Sequence, residues 1–76
     1  MKEISKKQKE TLEFITEFIG TNVQAPTMQN IADHFGIEVG AAHWLIQKLH
    51  ERGYITSVEH QPRSISLTDK AFRFQI

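Results

Sequence analysis

The chain has 76 residues, with 9 Lys+Arg against 9 Asp+Glu and so no formal net charge; 39 % of its residues are apolar and 24 % charged. That is one domain of ordinary globular composition, with room for one modest core and little area for a deep substrate cavity. No apolar run approaches the roughly 18 residues a membrane helix needs, the start lacks an apolar signal core, and there is no cysteine for a disulfide framework or a thiolate metal site. A small cytoplasmic binding module is therefore the expectation, and a self-sufficient enzyme is not.

Ser5 followed three residues later by Gln8 is a capping-box pattern and predicts the start of a first helix. Leu12, Ile15 and Ile19 recur at helical spacing, Phe14 and Phe18 widen the stripe, and Glu10, Glu13 and Glu17 fall on the opposite face. Gly20 and Asn22 are expected to end the helix. Val23-Gln24-Ala25-Pro26 reads as extended, because proline disfavours helix in the residue before it. Thr27 is a good N-cap for a short second helix carrying Ile31, Ala32 and Phe35, with Gly36 as its stop. A third helix is expected four residues later, burying Ala42, Leu45, Ile46 and Leu49 and ending at Gly53.

The period then changes from helical to alternating. Tyr54–Val58 and Ser64–Leu67 read as two strands of a hairpin, separated by the polar loop Glu59-His60-Gln61-Pro62-Arg63. The tail, 68–76, is ambiguous: Thr68 or Asp69 suits a cap for a final turn, while Phe72, Phe74 and Ile76 alternate like a strand. Three helices and a hairpin in this order predict a mainly α, α+β winged helix-turn-helix over residues 1–76, with the tail as a capping or dimer element.

Ile4-Ser5-Lys6-Lys7-Gln8, Ala25-Pro26-Thr27, Ile31-Ala32 and Phe35-Gly36 are followed by Leu49–Ile55 and Pro62–Leu67. In this order the chain resembles the amino-terminal DNA-binding domain of LexA-type repressors. The resemblance implies a third helix in the major groove of duplex DNA and a wing on the sugar-phosphate backbone. Three departures stand out. The turn Ile37-Glu38-Val39-Gly40 is about one residue shorter than the family's and lacks its Ser and Asn. Trp44 replaces a polar or charged side chain. The chain stops near the family's linker, so the self-cleaving Ser-Lys peptidase is not carried over. Leu67–Ala71 also resembles the end of the wing in MarR-like regulators.

The charges suit a polyanion at the two ends of the chain: the balance is +3 over 1–9, −5 over 10–38 and +2 over 39–76. For any one of these clusters, a solvated, solubilising surface is the simpler account. On the third helix, Gly40 and Ala41 permit close approach, and His43, Trp44, Gln47 and Lys48 project away from the buried stripe. Gln47 suits adenine, which an amide pairs bidentately. Lys48 suits a phosphate, and His43 a base or a phosphate. Arg63 is the wing's first candidate for phosphate or minor-groove contact, with His60 and Gln61 beside it. Thr27 at the second helix and Lys6 and Lys7 at the first are further phosphate candidates. Each has an ordinary alternative. Gln47 and Lys48 are commonplace on a solvated helix, Arg63 has Glu59 as a possible ion-pair partner, and Thr27 is accounted for as a cap. His34 and His50 read as ordinary surface or boundary residues.

Two functions follow. The first is sequence-specific binding of double-stranded DNA by a small transcriptional regulator, with two copies on a palindromic site because usable cations are few. The second is a protein-interaction module, antirepressor-like or an accessory subunit, anchored through an exposed Trp44. No nucleophile, base and orienting group assemble into a catalytic set, and no cofactor or metal site is expected. Ser66 and Lys70 lie four apart across a strand end, and a shared metal on His43 and His50 is disfavoured by two turns of helix, about 10 Å.

Overall fold

The computed structural model describes residues 5–22, 24–58 and 63–71. The first helix, α1 (Lys6–Thr21), starts where its cap dictates. The Ser5 hydroxyl accepts from the Gln8 backbone N–H at 3.2 Å, and the Gln8 side chain accepts from the Ser5 N–H at 3.1 Å. This reciprocal box satisfies two N–H groups that have no partner within the helix. Leu12 and Ile15 are fully buried along the inner face. Thr11 is buried beside them without penalty, because its hydroxyl donates to the Lys7 carbonyl at 2.8 Å. Gly20 lies within the helix, and Asn22 alone ends it, its N–H and its side-chain amide both donating to the Phe18 carbonyl.

Helix α2 (Met28–Phe35) repeats the device with Thr27 and Asn30. Losing the Thr27 hydroxyl costs a helix about 1 kcal/mol. Thr27→Ala is therefore expected to lower the midpoint of thermal unfolding by about 4–8 °C, followed by circular dichroism. Gly36, at φ 65°, stops α2 in the left-handed conformation that glycine adopts freely. Gly36, Ile37 and Glu38 make the turn into α3 (Val39–Glu51), a connection of helix-turn-helix length. Helix α3 begins one residue before the expected Gly40, with Glu38 as N-cap. Ala42, Leu45, Ile46 and Leu49 are all buried, as their spacing predicts. Helix α3 packs against both α1 and α2.

Gly53, at φ 83°, turns the chain out of α3 and into β1 (Ile55–Thr56). β1 pairs antiparallel with β2 (Ser66–Leu67), with Ile55 opposite Leu67 and Thr56 opposite Ser66. Both strands are shorter than the alternation predicts. The reason is local: the Ser64 hydroxyl accepts from the Val58 N–H at 2.9 Å and donates to the Val58 carbonyl at 3.2 Å. A side chain thus takes the place of a ladder pair. After β2 the chain folds back on the end of α3. The Thr68 hydroxyl donates to the Gly53 carbonyl, and Lys70 Nζ donates to the Arg52 carbonyl from above the Tyr54 ring. Residues 69–71 are helical and Ala71 is buried, so the tail starts as a turn of helix. Phe72, Phe74 and Ile76 lie outside the described residues. Three helices and a short antiparallel hairpin form a winged helix-turn-helix around Leu12, Ile15, Ile31, Leu49, Tyr54 and Ile55.

Candidate nucleic-acid interface

The buried stripe of α3 fixes what its other side presents. With Ala42, Ile46 and Leu49 turned into the core, His43, Gln47 and His50 turn toward a groove of about 770 Å³. Its floor is α3. One wall is the start of α2, with Thr27, Met28 and Gln29, and the other is the wing, with Ser57, Val58, Arg63 and Ser64. Four candidates from separate parts of the sequence, Thr27, His43, Gln47 and Arg63, therefore line one concave surface.

Each is held by an identifiable contact. Thr27 uses its hydroxyl oxygen to accept from Asn30, which leaves the hydroxyl hydrogen to donate outward. Among the described residues, the Met28 and Gln29 N–H groups at the start of α2 remain open to a partner. The Gln47 amide donates to Glu51 at 3.2 Å. Arg63 has a left-handed backbone, φ 61°, and its Nη1 donates to the Ala25 carbonyl at 3.0 Å. That bond ties the wing to the segment leading into Thr27. It uses one of five guanidinium donors and leaves the others for an anion.

The remaining candidates lie elsewhere. Gly40 and Ala41 are exposed at the start of α3, outside the groove lining. Trp44 is 52 % exposed, so it does point away from the core, but it too lies beside the groove. Lys48 sits over the Trp44 ring, 5.5 Å from its centre, and 3.5 Å from Glu51. Lys7 pairs with Glu10 and lies over the Phe35 ring, on the α1–α2 side; Lys6 is exposed at the start of α1. His60 and Gln61 fall outside the described residues, as does Glu59. His50 lines the groove too, where the sequence reads it as an ordinary surface or boundary residue. Its place seven residues after His43, on the same helical face, was the available signal. Among the described residues no cluster of His, Asp or Glu could hold a metal ion, and no helix is long and apolar enough to cross a membrane.

Comparison with known proteins places the chain in a family. The family model of the LexA DNA binding domain matches residues 1–64. The LexA repressor of Thermosipho africanus is 40 % identical over 70 residues, covering 92 % of this chain and 35 % of that protein. The LexA repressor of Thermosipho melanesiensis is 37 % identical over the same length and coverage. That of Leptospira interrogans serovar copenhageni is 34 % identical over 67 residues, covering 88 % of this chain and 33 % of the relative. The chain thus spans about a third of the length of these curated relatives. With its winged helix-turn-helix fold and a family match over most of its length, this chain belongs to the LexA DNA-binding domain family.

Proposed function

We propose that this chain binds duplex DNA sequence-specifically, as the DNA-reading part of a transcriptional repressor. The observation that carries the reading is the groove, which joins α3, the start of α2 and the wing around Thr27, His43, Gln47 and Arg63. In this reading the first turns of α3 enter the major groove, where a helix reads base edges. Gly40 and Ala41 keep the approach close, and Gln47 pairs with adenine. Trp44 presses on a thymine methyl or a sugar, and Lys48 reaches a phosphate from the side. Thr27 and the open N–H groups of α2 hold a second phosphate, and Arg63 a third, with His60 and Gln61 following it along the wing. Lys6 and Lys7 add positive charge at the start of α1.

Among the described groove residues Arg63 is the one permanent cation. Most duplex affinity comes from neutralised phosphates, so a single copy binds modestly and two copies on an inverted repeat bind well. Arg63 is accordingly the first residue to test. Arg63→Ala removes a charge-assisted hydrogen bond of about 1.5 kcal/mol, or about tenfold in affinity. The loss is expected on every duplex alike, with the slope of log K against log salt flattened by about 0.9. An unchanged slope, or a preference altered at a single base pair, would remove Arg63 from the backbone.

A second reading rests on Trp44, which is half exposed and outside the groove. On the same fold it would anchor a protein partner, as large exposed aromatics do. Association that is insensitive to salt and lost in Trp44→Ala would favour it over DNA.

A further inference from the structure

The groove holds titratable chemistry beside Gln47 and Arg63. His43 and His50 both line it, and seven residues of helix separate them by about 10 Å, far enough to meet separate groups of a ligand. The residues three and four positions from either are Val39, Gly40, Ile46, Gln47, Gly53 and Tyr54, with no carboxylate among them. Nor does any described residue lining the groove carry one. The charged groups on the surrounding elements can be placed. On α3, Glu51 is occupied by Gln47 and Lys48, Arg52 adds a positive charge, and Glu38 stands at the N-cap position five residues before His43, with no cap bond from its side chain and outside the groove lining. On α2, Asp33 accepts from the Gln29 amide. The wing contributes Arg63, and the carboxylates of α1, Glu10, Glu13 and Glu17, lie outside the groove lining.

Imidazole is the side chain whose ordinary titration falls between pH 5 and 8. A phosphate beside it favours the cationic form. We propose that His43 and His50 are proton-loaded phosphate contacts, so that this chain takes up protons as it binds DNA. The inference rests on the DNA-binding reading above and extends it to a residue, His50, and to a linkage. The sign follows from the charge. DNA raises the proton affinity of both imidazoles, so their contribution is full at low pH and is lost as pH rises through their titration in the complex. Each imidazolium adds about 0.9 to the salt slope, which near 0.1 M salt is about eightfold in affinity.

The test uses a fluorescein-labelled duplex drawn from a selected random pool, titrated with the full chain between about pH 8 and about pH 6. Affinity is expected to rise severalfold toward pH 6, with a steeper salt slope. His43→Gln and His50→Gln, both at exposed positions, should each remove part of the rise, and the double variant should lose most of it, a remainder being expected from His60 of the wing loop. His34→Gln, altering an imidazole stacked on Phe14 at 4.1 Å on the α1–α2 side, should keep the full rise. A wild-type profile that is flat while DNA is still bound would overturn the inference and spare the DNA-binding reading. A full rise in the double variant would overturn it too. Absence of binding at every pH would overturn both.

Discussion

Leu49→Ala is expected to lower the midpoint of thermal unfolding by roughly 10 to 30 °C. Leu49 is fully buried on the stripe that seats α3 in the core. Truncating such a leucine costs about 2–5 kcal/mol, because transfer free energy is lost and a cavity remains. A chain of this size has about 4–11 kcal/mol of stability in total. The substitution therefore removes a large share of it. The consequence for DNA is indirect but large. His43, Gln47 and His50 reach the groove because Ala42, Ile46 and Leu49 hold the other side of the helix. Apparent affinity should fall in step with the folded fraction, and base preference in the remaining folded protein should not change. Thermal melts and duplex titrations on the same samples check both statements.

Gln47→Ala should leave the melt where it is and change what is read. Gln47 is exposed, so its removal leaves no cavity. Its amide donates to Glu51, which limits its rotation before DNA arrives. The amide keeps its oxygen and its second N–H, the pair that recognises the N6 and N7 edge of adenine. A bidentate pair is worth about 1–3 kcal/mol of discrimination, or roughly 5- to 150-fold. That preference should disappear at one base pair per half-site and persist elsewhere. Competition binding against duplexes substituted one position at a time measures it directly. A uniform loss at all positions would make Gln47 a backbone contact.

The parts of the fold that were legible in the sequence are those with local causes. Ser5 with Gln8, and Thr27 as a cap, announce two helix starts, because a cap needs only residues within one turn. The spacing of Ala42, Leu45, Ile46 and Leu49 gives the buried side of α3, and with it the exposure of Trp44. Residues whose partners lie far along the chain were harder. Nothing near Arg63 indicates that its guanidinium donates to Ala25, 38 residues away. The strands are shorter than their alternation where Ser64 bonds the Val58 backbone across the hairpin, a contact that period does not announce. His50 shares a face with His43 in the sequence, but the walls that make this face a groove come from α2 and the wing.

DNA recognition is tested most directly by selecting duplexes from a random-sequence pool with the purified chain, at low and moderate salt. An enriched motif is expected, arranged as an inverted repeat, whose binding weakens as salt rises. Arg63→Ala should lower affinity for the whole pool, while Gln47→Ala should change the motif at one position. Recovery of no motif, with no binding even at low salt, would contradict DNA recognition by this chain and leave the exposed Trp44 as the surface to pursue.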